Sequence, residues 1–293
     1  MEKDIMNEPL YGERSYVKSI SAGLRLPLRH PWGFLRHLWP LLLLCVATWG
    51  FVAKFVAGDL SVFLQLLDQP DVTTSSLVDM PLFRLMGWGA LSMVFLGVQC
   101  GQIAHLMTRY GALTYFPTVH PWQVFRSIVP HILRGLLLCL VGYAVVCALA
   151  VLSLYVMPSM FWSSLLFVVL LITWAFLYIP VGQRYLYSNH NFLSSLTSAF
   201  SHPNLLGGNF SITIVCGLLV FVVTFIGCLP ALSTTYVGLI SDQALAVGDT
   251  SDLPESFSLI CALTYSLASM VCFMSWPFIL VPLTFHWGAS EKR

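Results

Sequence analysis

The chain has 293 residues, of which 57% are hydrophobic and only 9% are charged, and its formal net charge is +1. Soluble globular domains carry about 25% charged residues. A deficit of this size along the whole chain excludes a soluble domain with a single anchor, and it predicts a polytopic membrane protein. The near-neutral balance, without a basic patch, gives no indication of nucleic-acid binding.

Charged residues are missing from three long stretches, 135–183, 185–241 and 256–290. Charges are costly in hydrocarbon, and a helix needs about 20 apolar residues to cross the bilayer core. The pattern predicts an all-α integral membrane fold with six transmembrane helices, near 38–57, 85–108, 132–156, 160–180, 210–232 and 258–284. A tight turn at Met157-Pro158-Ser159 is expected to separate the third span from the fourth.

The charged segments between the spans predict the orientation. With the N-terminus inside, twelve of the fourteen Lys and Arg residues lie in cytoplasmic segments and eight of the thirteen acidic residues lie in outer loops. The positive-inside rule therefore predicts that both termini are cytoplasmic. Lys54 and Arg84 are the exceptions, and both lie at span ends, where a long side chain can snorkel. Six basic residues among the first 37, with no apolar core before them, predict that no signal peptide is cleaved.

A short motif repeats along the chain. His30-Pro31-Trp32 recurs as His120-Pro121-Trp122, and a weaker copy begins at His202-Pro203. An even number of spans separates the copies, so the sequence predicts three parallel repeats of an interfacial helix followed by a transmembrane hairpin. The predicted domains are a cytoplasmic N-terminal and interfacial segment at 1–37, a six-span membrane domain at 38–285, and a cytoplasmic tail at 286–293.

The motif is followed in two copies by an arginine at the same spacing, giving the pairs Trp32 with Arg36 and Trp122 with Arg126. Tryptophan and arginine at headgroup level are typical of interfacial helices. We interpret these four residues as lipid-facing anchors that position the hairpins. A specific lipid or partner site is the alternative interpretation.

Three copies of an interfacial helix and a hairpin resemble the membrane domain found beside some glycerophosphodiester phosphodiesterases. They also resemble a broad group of six-span bacterial integral membrane proteins. The ending from Pro282 to Arg293, aromatic and then charged, is similar to that of small six-span proteins of Bacteroidetes-type bacteria. The resemblance implies a bacterial inner membrane. No counterpart of the phosphodiesterase metal ligands is found, so the resemblance implies no catalytic residue.

The second predicted span carries the most distinctive internal residues. Gly97 and Gly101 form a small-xxx-small pattern around Gln99. Such glycines let helix backbones approach closely, and an intramembrane glutamine forms interhelical hydrogen bonds. We therefore expect helix packing here, and a polar cavity that includes Gln99 is the alternative.

The usual signatures of catalytic and metal sites are not found in the sequence. The eight cysteines fall in apolar segments without a CxxC pair, and they are expected to be buried and reduced. The histidines form no HExxH motif, and no aspartate lies inside a predicted span. We expect no catalytic residue, no metal and no cofactor.

These observations favour a non-enzymatic membrane protein. It is expected to be a scaffold or subunit of a membrane or envelope assembly, with membrane lipids and other membrane proteins as its partners. The alternative is a transporter or lipid-handling protein with a cavity between the hairpins. An intramembrane enzyme is the third and least favoured interpretation.

The predicted topology is testable by cysteine labelling from outside intact cells. A membrane-impermeant maleimide should react with cysteines introduced at Asp71 and Asp249, because both positions lie in the acidic outer loops. Cysteines introduced at Gln123 and Asn191 should react only after the membrane is permeabilised. Labelling of Gln123→Cys in intact cells would contradict the six-span topology.

Overall fold

The computed structural model describes residues 15–29, 31–67, 81–111, 121–157, 160–188, 191–199, 203–246 and 253–290. These residues form helices and contain no strand. The helices are α1 (Tyr16–Arg29), α2 (Pro31–Leu67), α3 (Pro81–Gly111), α4 (Pro121–Val156), α5 (Met160–Tyr187), α6 (Phe192–Ala199), α7 (Pro203–Ala246), α8 (Phe257–Ser275) and α9 (Pro277–Ser290). The predicted outer loops around 68–80 and 247–252 and the turn at Pro158 lie outside the described residues.

The all-α membrane fold is confirmed. Six helical stretches are long and apolar enough to cross a bilayer, and they are His37–Phe63, Phe83–Thr108, Arg126–Val156, Trp162–Tyr187, Gly207–Leu245 and Phe257–Ser290. The protein is therefore a multi-pass membrane protein by the length and composition of its helices. The last stretch comprises α8 and α9, which are separated by a turn at Trp276 before Pro277.

Three long helices begin at the proline of a His-Pro pair, at Pro31, Pro121 and Pro203. Proline suits the first turn of a helix, because its fixed φ is helical and its missing N–H would have no intrahelical partner there. The segments after these prolines are continuous with the membrane-spanning helices. They are therefore first turns of long helices and not the separate interfacial helices that the sequence predicts, and the repeat arrangement remains a prediction.

The described helices group into two compact units. Unit 1 comprises Met1–Leu38, Met93–Val220 and Trp276–Arg293, and unit 2 comprises Trp39–Ser92 and Phe221–Ser275. Within unit 1, α1 packs against α9 and α5 packs against α4 and α6. The contact of α1 with α9 is a backbone approach, because a methyl group added at Gly23 would overlap Pro282.

Within unit 2, α2 contacts both α8 and α3. Gly50 approaches Ser266 closely, and the Ser266 hydroxyl donates to the Val46 carbonyl oxygen at 3.1 Å. Asp59 accepts hydrogen bonds from Trp88 Nε1 at 2.9 Å and from Arg84 at 3.3 Å. The sequence places Asp59 in a loop beyond a span that ends near residue 57. Instead α2 continues to Leu67, and the carboxylate joins two helices.

The last helix is among the most enclosed elements of unit 1. Val281, Thr284 and Phe285 are at most 1% exposed, and Trp287 is 3% exposed. Residues 286–290 continue α9, so the boundary predicted at 286 falls inside a helix. The aromatic end of the chain resembles an exposed tail in sequence, whereas these side chains pack inside the unit.

Candidate functional site in the polar interior of unit 1

The two glycines singled out in the sequence lie at a close contact between α3 and α4. A methyl group added at Gly97 would lie 2.8 Å from Leu136 Cα, and one added at Gly101 would lie 2.5 Å from Ile132 Cα. A third glycine faces them from α4, because a methyl group at Gly135 would overlap the Gly97 carbonyl oxygen. The two backbones are therefore in direct contact.

Polar side chains surround this contact. Gln99 is 1% exposed and is engaged in a polar interaction. One turn further along α3, the Gln102 Oε1 atom is buried, and no described residue donates to it. The structure thus encloses the glutamine that the sequence analysis selected and places a second glutamine carbonyl in the same interior.

Two histidines meet near the same interface. The rings of His105 on α3 and His131 on α4 pack edge to face, with centroids 5.2 Å apart. The Ser127 hydroxyl lies 3.5 Å from His105 Nε2, and the Ser127 carbonyl oxygen lies 3.3 Å from His131 Nδ1. This pairing is not predictable from the sequence, because the two histidines are 26 positions apart on different spans.

A buried group of hydrogen-bonded amides joins α5, α7 and α9. The amides of Gln183 and Asn209 exchange two hydrogen bonds, at 3.1 Å and 2.8 Å. Gln183 Nε2 also donates to the Leu283 carbonyl oxygen at 3.0 Å. Gln183 is 5% exposed and Asn209 is 2% exposed, so three helices are joined through buried amides. We call Gln183, Asn209 and the Leu283 carbonyl the amide junction.

Two tyrosines of α5 make further hydrogen bonds to neighbouring helices. Tyr187 Oη lies 2.6 Å from the Thr284 hydroxyl, and its ring packs 5.1 Å from that of Trp287. Tyr178 Oη donates to the Leu138 carbonyl oxygen at 2.6 Å, and its ring covers Gly142. Both phenols thus connect α5 to a neighbouring helix, to α9 and α4 respectively.

The end of α5 is held by an arginine from α4. Arg134 Nη1 donates to the carbonyl oxygens of Ser188 at 2.9 Å and Tyr185 at 3.5 Å, and the guanidinium lies 5.7 Å from the Tyr185 ring centroid. Cations at a helix C-terminus are favourable because the last carbonyls carry partial negative charge. Arg184 is 8% exposed and makes a further polar contact.

The predicted anchors are only partly described. Trp32 is 80% exposed, and Arg126 is exposed near the start of α4. The side chains of Arg36 and Trp122 lie outside the part of the chain that the structure describes. The interfacial role of the four residues therefore stays a prediction, and none of them joins the polar interior.

The amide junction was not predicted from the sequence. The available signal was the presence of an amide side chain in an otherwise apolar stretch, since such groups need partners in hydrocarbon. Which amide pairs with which is a tertiary contact that periodicity does not contain.

The polar interior is suited to hydrogen bonding and helix cohesion. Its described groups are mainly amides, hydroxyls, imidazoles and backbone carbonyls. Among the described residues, no set of three or more His, Cys, Asp or Glu side chains is placed to hold a metal ion. The eight cysteines carry free thiols.

The helix contact at Gly97 predicts a stability effect. Gly97→Leu should lower the free energy of unfolding by about 1–3 kcal/mol, because the added side chain forces α3 and α4 apart. Gly217→Leu on α7 is the matched control, since a methyl group there meets no atom within 4 Å. Thermal unfolding in detergent measures both variants. Equal midpoints for the two would contradict the packing interpretation and favour a solute path along α3.

The amide junction predicts an energetic coupling between Gln183 and Asn209, which are distant in sequence. Asn209→Leu should destabilise the protein because it removes two hydrogen bonds from the buried Gln183. Gln183→Leu combined with Asn209→Leu should cost less than the sum of the single changes, with a coupling of about 0.5–2 kcal/mol. Additive effects in a double-mutant cycle would show that the two amides do not stabilise each other.

The arrangement of unit 1 thus consists of close glycine contacts, paired amides and capped helix ends, and each of these features joins neighbouring helices. No protein-family model matches the sequence, and no curated protein or solved structure shows significant similarity to it.

Proposed function

We propose that the protein is a non-enzymatic scaffold or subunit of a membrane assembly in a bacterial inner membrane, with both termini in the cytoplasm. The observation that carries this proposal is the use of the buried polar groups in unit 1. The amides of Gln183 and Asn209 bond to each other, and the hydroxyl of Tyr187 bonds to Thr284. These groups form hydrogen bonds between helices and thereby hold the helices together.

The proposal also draws on the difference in burial among the spans. Within an apolar stretch of 18 residues in each span, 56% of the stretch is buried in α3. The corresponding share is 17% in each of α4, α5 and α7. Large apolar side chains on α7, such as Leu218 at 64% and Phe221 at 63%, are exposed. In a bilayer such a surface faces lipid or another membrane protein, so it offers room for a partner helix.

Charge supports the orientation. All described charged positions of unit 1 are basic, whereas those of unit 2 include Asp59, Asp242 and Glu255 together with Lys54 and Arg84. A cytoplasmic excess of Lys and Arg is the general rule for inner-membrane proteins. The bacterial origin rests on the resemblance of the sequence to six-span bacterial proteins, and is part of the proposal.

Site-specific photo-crosslinking in living cells tests the scaffold function. A photoreactive amino acid at Leu218 should give a discrete adduct with one membrane protein, which should also co-purify in a fixed ratio in mild detergent. The same amino acid at Ile212, which is fully buried, is the matched control and should give no intermolecular adduct. If exposed positions around α7 give only lipid adducts, the scaffold proposal fails.

Transport or lipid handling is the second candidate, and the buried carbonyl oxygen of Gln102 favours it. Proteoliposomes containing fluorescent phosphatidylcholine distinguish the two functions. A scaffold should leave the fluorescent lipid in its original leaflet, as a membrane-impermeant quencher would show. Lipid scrambling that is lost in Gln102→Leu without a loss of thermal stability would support the second candidate.

A further inference from the structure

Helix α1 has an inward face made of small residues. Ser19, Ala22, Gly23 and Pro27 are buried, and Gly23 approaches the backbone of Pro282 on α9. Ile20 adds to a cluster that contains Ile212 and Leu283. The short side chains allow α1 to lie directly on α9, so its position is fixed by the rest of unit 1.

The outward face of α1 carries two parallel stripes. Arg25 and Arg29 follow Lys18 by seven and eleven residues, which places the three cations within about 40° of one another around a helix. Val17, Leu24 and Leu28 have the same spacing and form the adjacent stripe. All three cations are exposed, and Val17 and Leu28 are 62% and 67% exposed.

The charged positions that the structure describes in unit 1 all have one sign. Within unit 1, the described residues include eight basic positions and no aspartate or glutamate. The basic positions are Lys18, Arg25, Arg29, Arg36, Arg109, Arg126, Arg134 and Arg184. An anionic surface therefore meets no opposing carboxylate among these residues when it approaches the cationic stripe.

We propose that the outward face of α1 binds anionic phospholipid headgroups of the adjoining leaflet. The cationic stripe contacts lipid phosphates, and the apolar stripe enters the boundary between headgroups and acyl chains. Charge complementarity and the neighbouring apolar stripe both fit a membrane surface, which offers phosphate and hydrocarbon side by side. Trp32 follows shortly after α1 and is 80% exposed. Tryptophan is enriched at the headgroup level of a membrane, so this residue also fits the proposed contact.

The contact with α9 gives this binding a consequence for the fold. A ligand that binds the folded state and not the unfolded state stabilises the folded state by mass action. Because α1 is seated on α9 through Gly23, anionic lipid bound to α1 stabilises the packed form of unit 1. Lipid composition thus adjusts the stability of the protein through a helix at its surface.

The full-length protein in lipid nanodiscs tests the proposal. Nanodiscs of phosphatidylcholine alone are compared with an equal mixture of phosphatidylcholine and phosphatidylglycerol, and the thermal unfolding midpoint is measured in each. The mixture should raise the midpoint of the native protein, and high salt should remove the gain. At about 1 kcal/mol per charge, replacing three cations should weaken headgroup binding by about a hundredfold.

The variant Lys18→Gln, Arg25→Gln, Arg29→Gln should lose the gain in the mixture. The charge-conserving variant Lys18→Arg, Arg25→Lys, Arg29→Lys is the matched control and should keep it. Each variant is compared with itself in phosphatidylcholine, so an intrinsic stability change does not affect the result. An undiminished gain in the Gln variant would overturn the proposal.

A further experiment distinguishes binding of lipid headgroups from binding of free anions. Inorganic phosphate added to phosphatidylcholine nanodiscs should leave the midpoint unchanged, and a gain equal to that of phosphatidylglycerol would overturn binding to a membrane surface. Val17→Ser with Leu28→Ser should reduce the gain while the charges remain. These outcomes are independent of whether photo-crosslinking at Leu218 detects a protein partner.

Discussion

Direct contact between helix backbones is the constraint on which the rest of unit 1 depends. Lipid tails are as apolar as leucine, so helices in a bilayer are held together by close packing and hydrogen bonds and not by exclusion of water. Gly97, Gly101 and Gly135 bring α3 against α4, and Gly23 brings α1 against α9. The amide junction adds buried hydrogen bonds between α5, α7 and α9 to this cohesion.

Local composition was sufficient to predict the number and approximate positions of the spans, because charge exclusion acts on each segment separately. It was also sufficient to place helix starts near the His-Pro pairs. The reach of α2 to Leu67 was not predicted, because Asp59 looks like a loop residue until Trp88 and Arg84 are brought beside it. The burial of α9 was not predicted either, because an apolar helix has the same sequence pattern whether it faces lipid or protein.

The residues of the candidate site were likewise predictable only in part. Gly97 and Gly101 were identifiable because a small-xxx-small pattern is local, whereas their partner Gly135 lies on another helix. The pairing of Gln183 with Asn209 depends on the crossing of α5 and α7, and Gln183 also requires the Leu283 carbonyl from α9. Polar residues within apolar segments therefore indicated which side chains needed partners, and only the fold determined which partners they have.

The seating of α1 on α9 has a consequence for the order of synthesis. Among the described helices, α1 is the first to leave the ribosome and α9 is the last. The small face of α1 therefore lacks its contact with Pro282, and Gln183 lacks its hydrogen bond to the Leu283 carbonyl, until α9 has been translated and inserted. A nascent chain that ends before α9 therefore lacks the helix against which α1 packs in the complete protein.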